Sequence, residues 1–364
     1  MIHENSCKKI LLSLIFLEFL EVTFYLPVRN PRILCIFATI MKGLVIRTTG
    51  SWYKVLELAV GDTVGSVCPQ PISLQWEQHT YDCRLRGNYR LRGNKQTNPI
   101  AVGDYVQFSL QDDGTGVISE VEDRKNYIIR RATKLSKQTH VIASNIDLLC
   151  VVATLGFPRT STGFIDRLLV TAEAYHIPAC IIFNKIDLYG PEGSELWALH
   201  NEVKSIYTAA GYPTYEISAT QHIGIDSVKK LIAGKIVLFS GHSGVGKSAL
   251  LNAVAPQLNL KEGEVSDWSL KGKHTTTFAE IHPIEAGTFL IDTPGIKEFG
   301  IVDFSAEDLT HFFPEMRSRL HDCQFSNCTH RHEPHCAVKA AVASGEISQE
   351  RYNNYLNIIQ SIEE

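Results

Sequence analysis

Short β-favouring runs open the regular part of the chain. Leu44-Val45-Ile46, Trp52-Tyr53-Lys54-Val55, Tyr81-Asp82-Cys83-Arg84-Leu85, Tyr105-Val106-Gln107-Phe108 and Gly116-Val117-Ile118 are separated by Gly, Asn and Asp. Five such strands within residues 41–131 predict a small OB-type β-barrel, an architecture that commonly binds oligonucleotides across one face. The pattern then changes. After Asp147 the run Leu148-Leu149-Cys150-Val151-Val152-Ala153 is continuously apolar, as in a parallel strand buried on both faces, and residues 164–176 follow with helical spacing until Pro178 stops it. Strands are expected at Ala179 to Phe183, Tyr215 to Ile217, Lys235 to Phe239 and Thr288 to Ile291, with helices over 195–210 and 225–232. Alternating strand and helix over residues 132–300 predict an open α/β sheet. Helical spacing over 306–313 and 337–362 predicts a mostly helical C-terminal region, residues 301–364.

Residues 1–40 differ in character. Lys8 and Lys9 precede an apolar stretch from Ile10 to Leu26, broken by Glu18 and Glu21, and a second run spans Ile33 to Ile40. Two carboxylates inside a spanning helix are costly, and no small-residue cleavage site follows. The expectation is a start at Met41, with a membrane anchor or a structured arm as the alternatives. At 364 residues, 44% apolar and 20% charged, the chain suits a soluble protein of two or three domains. A net charge of −4 means that any nucleic-acid contact rests on a local basic patch. Nine cysteines, some bunched with histidine near the C-terminus, favour a reducing compartment and a metal site over disulfides.

Candidate chemistry falls on the turns. Gly241-His242-Ser243-Gly244-Val245-Gly246-Lys247-Ser248 follows a strand and opens a helix, as a phosphate loop does. Its glycines let backbone N–H groups face phosphates, Lys247 supplies a point charge, and Ser248 offers a hydroxyl to Mg²⁺. The helix N-terminus, with the Ala249 N–H, faces the same anion. Asn184-Lys185-Ile186-Asp187 leaves a strand at its carboxyl end, where open α/β sheets bind ligands. The Asp187 carboxylate suits the paired N–H donors of guanine, which adenine lacks. Asn184 serves the base edge or packs the loop, and Ser218-Ala219 offers a backbone N–H to the guanine carbonyl. One of Thr275, Thr276 and Thr277 is expected to close over Mg²⁺, with Asp292 reaching the metal through water and the Gly295 N–H meeting the γ-phosphate. An ordinary GTPase places its phosphate loop first; here the base reader comes first, so the motifs are those of a circularly permuted P-loop GTPase. Ile296 stands where many GTPases carry the glutamine that orients water. That predicts slow intrinsic hydrolysis accelerated by a partner, with His242 and His274 as candidate substitutes.

Cys323-x4-Cys328-x-His330-x5-Cys336 offers three thiolates and an imidazole, the donor set of one structural, four-coordinate zinc. His332 and His335 are second-choice ligands. Two basic stretches lack any acid. The first holds Arg84, Arg86, Arg90, Arg92 and Lys95 with Tyr89 among them, and the second holds Arg124, Lys125, Arg130, Arg131, Lys134 and Lys137. Both predict contact with an RNA phosphate backbone; a strand edge protected by charge is the alternative. No coiled-coil seam is present, so a monomer is expected.

Together these residues resemble the RsgA family, also called YjeQ, over nearly everything from Met41 onward. The carriers are residues 81–87, Thr97-Asn98-Pro99-Ile100-Ala101-Val102-Gly103-Asp104, Asn184 to Asp187, Gly241 to Ser248, His274 to Thr277, Asp292-Thr293-Pro294-Gly295 and the Cys/His set. The resemblance implies an OB barrel, a permuted GTPase domain and a zinc domain. It implies GTP hydrolysis stimulated by the small ribosomal subunit, binding to its rRNA near the decoding region, a role in late maturation, and cytoplasmic location without stable membrane association. Two rivals are a permuted GTPase acting on the large subunit and a GTP-dependent RNA-binding switch with negligible hydrolysis. Residues 1–40 have no counterpart in the pattern, and His242 fills a variable position of the phosphate loop.

Overall fold

Strands β1 (Met41–Thr48), β2 (Tyr53–Leu58), β3 (Thr80–Leu85), β4 (Tyr105–Leu110) and β5 (Gly116–Val121) fall on the five predicted runs. The computed structural model describes residues 40–58, 79–87, 99–131, 139–260, 279–284, 287–292 and 305–363. β1 pairs antiparallel with both β2 and β4, β2 with β3, and β4 with β5, while β3 and β5 run parallel. The order 1-2-3-5-4-1 closes a five-stranded OB-type barrel. Val45, Tyr53, Val55, Cys83, Val106, Phe108 and Ile118 fill it.

A hairpin not foreseen from the pattern follows: β6 (Tyr127–Arg131) and β7 (Thr139–Ser144). Polar side chains place it. The buried Asp104 carboxylate accepts from Arg124 at two positions (both 2.7 Å), from Ser144 Oγ (2.6 Å) and from the Ala101 N–H (2.8 Å). Gly103, at φ 92°, brings the chain so close to Ser144 that an added Cβ would lie 2.1 Å from its carbonyl oxygen. Arg124 therefore does not fit the RNA-contact expectation for the second basic stretch, because it neutralises buried Asp104; the half-exposed Lys125 pairs with Asp147. Lys134 and Lys137 lie outside the described residues.

The α/β part comprises β8 (Leu148–Ala153), α1 (Thr162–Ala174), β9 (Ala179–Phe183), α2 (Glu195–Ala209), β10 (Thr214–Glu216), α3 (Ile225–Ile232), β11 (Ile236–Ser240), α4 (Lys247–Val254), β12 (Glu280–Pro283) and β13 (Phe289–Asp292). β10, β9, β8, β11 and β13 run parallel in that spatial order, and every residue of β8 is buried, as its apolar run required. β12 turns antiparallel to β13 and meets β1 at Arg47 and Glu280, joining barrel and α/β sheet into one eleven-stranded sheet. Leu44, Ile46 and Leu56 of the barrel share a core with Ile281, Phe289 and Ile291.

His282 on β12 carries a pH dependence. Burial first, and the Arg47 charge second, lower its pKa to about 4. An unfolded histidine protonates near pH 6.5, so the unfolded chain binds more protons and the folded state loses stability as pH falls from about 6.5 to about 4. At about 1.4 kcal/mol per pH unit the loss is at most about 3.5 kcal/mol. Thermal midpoints against pH should fall less steeply for His282→Gln than for wild type over that window; parallel curves would reject the assignment.

The C-terminal region brings together α5 (Ala306–Leu309), α6 (Pro314–Arg317), α7 (Ala337–Ala343) and α8 (Gln349–Glu363). Ser305 and Asp308 form a capping box that starts α5. The single helical spacing over 337–362 resolves into two helices, because Gly345 turns out at φ 81° after α7. Leu309, Phe313, Met316, Val338, Tyr355, Ile358 and Ile359 form the core here, with Val170 of α1. Among the described residues no helix is long and apolar enough to cross a membrane. Residues 1–39 lie outside the description, so the Met41 expectation has no structural counterpart.

Candidate functional site

β11 delivers the chain to the phosphate loop at the carboxyl edge of the parallel strands. Close approach requires glycine here. A Cβ on Gly241 would lie 2.3 Å from the Val152 carbonyl oxygen, and one on Gly246, at φ 88°, would lie 2.5 Å from Asn184 Nδ2. Gly246 N-caps α4, and Ser248 is buried in its first turn. Lys247 Nζ donates to the carbonyls of Gly241 (2.5 Å) and His242 (2.7 Å), which hold the ammonium over the loop. Ser243 and Gly244 are exposed, Val245 is buried and Ala249 is half-buried. The His242 ring lies face to face with Phe164 of α1, centroids 3.6 Å apart. Partial burial, then the Lys247 charge, lowers its pKa.

The base reader is tied to this loop. Asn184 is buried and both ends of its amide are engaged within the protein: Nδ2 donates to the Val245 carbonyl (2.9 Å) and Oδ1 accepts the Ala219 N–H (3.1 Å). Of the two roles open to Asn184, loop packing is the one seen. Lys185, at φ 65°, sends Nζ to the carbonyls of Gly244 (2.7 Å) and Phe157 (3.0 Å). Ile186 to Leu188 form a short 3-10 turn on which the Asp187 carboxylate stands exposed. Buried Ser218 accepts the Gln221 N–H on Oγ (3.2 Å) and shapes the turn that presents Ala219. Asp292 ends β13, which runs parallel beside β11, so its backbone reaches the same edge. Thr275, Thr276, Thr277, His274, Gly295 and Ile296 lie outside the described residues.

On the barrel, the Arg84 guanidinium stacks on Trp52, 3.8 Å from the ring centroid, and Arg86 is exposed just beyond β3. Arg90, Arg92 and Lys95 lie outside the described residues. Trp52 carried no charge signal, and its proximity to Arg84 depends on strand pairing rather than on spacing.

The fourth group converges as its spacing predicted. The ligand atoms of Cys323, Cys328, His330 and Cys336 lie within 4.8 Å of one another. His330 presents Nδ1 to Cys336 Sγ at 3.2 Å and to Cys323 Sγ at 3.7 Å. A tetrahedral ion with bonds of about 2.0–2.3 Å sets its ligands roughly 3.3–3.8 Å apart, so the donor set fits one metal ion. Glu333 fixes the intervening turn by accepting N–H groups from Thr329 (2.7 Å), Arg331 (3.0 Å) and His332 (3.0 Å). His332 and His335 are exposed and outside the group.

Family models match two stretches: the RsgA N-terminal domain over residues 73–118 and the RsgA GTPase over residues 121–302. The chain is 48% identical over 324 residues to the small ribosomal subunit biogenesis GTPase RsgA of Phocaeicola vulgatus, covering 89% of this chain and 98% of that protein. The chain belongs to the RsgA GTPase family. The corresponding protein of Flavobacterium johnsoniae is 46% identical, covering 89% and 94%. Among solved structures, YjeQ from Thermotoga maritima superposes with a TM-score of 0.69 at 33% identity, covering 88% of this chain and 98% of that one. YloQ, a circularly permuted GTPase, gives 0.68 at 28%, covering 90% and 97%. As an RsgA GTPase the chain is a permuted GTP hydrolase, which explains why β8 and β9 precede the phosphate loop while the sheet still brings both motifs to one edge. Phe164 and Trp52 are the side chains around the sites that motif reading missed, together with the Phe157 carbonyl that accepts from Lys185. All three residues are apolar, and nothing in their own neighbourhood marks them.

Proposed function

We propose that this RsgA GTPase binds the small ribosomal subunit through its rRNA in the cytoplasm, acts in late maturation of the subunit, and hydrolyses GTP fastest when docked there. The carrying observation is the joining of an RNA-type barrel to the nucleotide-bearing sheet through β1 and β12. The name shared by relatives at 46–48% identity supports the target.

Asp187 reads guanine by accepting its two adjacent N–H donors, and Lys185 and Asn184 hold the reading loop against the phosphate loop. Backbone N–H groups from Gly244 to Ala249 and the Lys247 ammonium bind the phosphates at the N-terminus of α4. Ser248, a hard oxygen donor, and one of Thr275 to Thr277 would hold Mg²⁺, with Asp292 reaching it through water. When bound, Mg²⁺ neutralises charge on the phosphate oxygens. Gly295 is placed by its motif against the γ-phosphate. Because Ile296 cannot orient water, the docked partner completes the site. Arg84 and Arg86, with Arg90, Arg92 and Lys95, contact the RNA backbone, and Trp52 holds Arg84 in place. Cys323, Cys328, His330 and Cys336 hold one structural zinc, and the chain acts as a monomer.

GTP hydrolysis by the full chain should run on the order of 10⁻² s⁻¹ or slower alone. Purified small subunits should raise it at least about tenfold, a fraction of the 10³–10⁵ that completing such a site can supply. Large subunits are the control. Stimulation by large subunits alone, or by neither, would reject the proposed target.

A further inference from the structure

One helix touches both the phosphate loop and the metal-bearing C-terminal helices. The first two turns of α1 place Phe164 against His242, whose carbonyl holds Lys247 Nζ. On the same turns Thr162 Oγ1 donates to Glu350 (2.6 Å) and accepts from Asn354 Nδ2 (3.1 Å). Asp166, fully buried, accepts from Arg351 Nη1 (2.6 Å) and from Asn354 Nδ2 (2.7 Å). Gly163 permits the approach, since a Cβ there would meet Asn354 Oδ1 at 3.3 Å. Glu350, Arg351 and Asn354 all belong to α8. On the same helix the Tyr352 hydroxyl donates to the carbonyl of His330 (2.6 Å), and the Tyr355 hydroxyl to that of Thr329 (2.9 Å). Arg351 also binds Glu315 of α6 through Nε (2.7 Å) and Nη2 (2.9 Å).

We propose that α1 couples the two sites: His242 and Phe164 fix the phosphate loop to a helix that Asn354 and Arg351 hold in place. The metal-bearing helices thereby set how long a guanine nucleotide stays bound, and a bound nucleotide sets how firmly the metal is kept. The proposal rests on Gly241 to Ser248 being the phosphate loop. His242, Phe164 and Asn354 are positioning residues. His242 is suited to the role because its ring is anchored on α1 while its carbonyl holds the lysine. Coupling between two binding equilibria is reciprocal, so each site must report on the other.

The test uses the full metal-loaded chain and mant-GDP. Dissociation is followed in wild type, His242→Ala, Asn354→Ala and the double variant, each first checked for stoichiometric metal. Asn354 is chosen over Arg351 because removing the arginine strands two carboxylates. Asn354→Ala should speed dissociation at least threefold, within the roughly 2- to 30-fold range of couplings of 0.5–2 kcal/mol. Adding it to His242→Ala should have little further effect, because both break one connection. Saturating GDP should slow metal release to a chelating dye in wild type and not in His242→Ala. An unchanged rate in Asn354→Ala, multiplicative effects in the double variant, or metal release indifferent to GDP would overturn the coupling. Failure of wild type to bind mant-GDP would overturn the phosphate-loop reading, and the proposal with it.

Discussion

Lys247→Ala is expected to lower GTP turnover by about 10²–10³-fold, the scale seen when one preorganised charge-stabilising donor is removed from an active site. The lysine is already ordered: its Nζ is bound to the carbonyls of Gly241 and His242 at 2.5 and 2.7 Å. Its chain entropy is therefore largely lost before substrate arrives, and little of the interaction with phosphate goes to ordering it. Alanine does more than delete a charge. It leaves two carbonyl oxygens facing an anion with no cation between them, so binding should weaken along with turnover. Single-turnover hydrolysis with and without small subunits, together with mant-GDP affinity, separates the two effects. Turnover within about tenfold of wild type would show that the phosphates are held elsewhere.

The elements legible in the sequence were those whose signal is local. β8 and β11 are buried on both faces and so read as unbroken apolar runs, and the phosphate loop is recognisable because its glycines and lysine are adjacent. The barrel strands were visible one by one, but their closure through the parallel β3–β5 pair is a long-range fact. The β6–β7 hairpin escaped because it is held by Asp104, Arg124, Asn126, Asn145 and Ser144, polar groups whose pairing spans about twenty to forty positions. Read locally, the same arginine looked like an RNA contact. Burial of its partner is what separates the two readings, and burial is set by the fold.

The sites divide in the same way. Spacing identified the four metal-directed side chains, because a tetrahedral donor set imposes short loops, and kept His332 and His335 as second choices that the fold leaves outside the group. Asn184 was expected either to serve the base edge or to pack the loop, and only the fold shows its amide engaged by Val245 and Ala219. The stack of His242 on Phe164 joins residues 78 positions apart and obeys no motif. Arg351, in the first turn of α8, reads as an ordinary surface charge until Asp166 and Glu315 are seen against it.

Removing the metal is expected to unfold residues 305–363 while leaving the parallel sheet intact. Three of the four helices there have only four, four and seven residues, well below the roughly 12–15 at which a helix is even marginal alone. Their core is small, and Cys328 and Cys336 are part of it. Structural zinc contributes about 10–16 kcal/mol of apparent binding free energy in small domains that fold around it, more than such a core supplies. Cys336→Ser should therefore lose stoichiometric metal and much of the C-terminal helical signal, and proteolysis should trim the chain back toward Ser305. The sheet has its own core and should survive, but α1 will feel the loss. Without α8 in place the buried Asp166 carboxylate loses Arg351, and the first turns of α1 lose Asn354. His335→Ala, outside the donor set, should keep both metal and helix. Far-UV circular dichroism with metal analysis decides the matter: a Cys336→Ser chain with full helical signal and a midpoint within about 2 °C of wild type would mean that the C-terminal helices stand on their own apolar core and that the metal only decorates them.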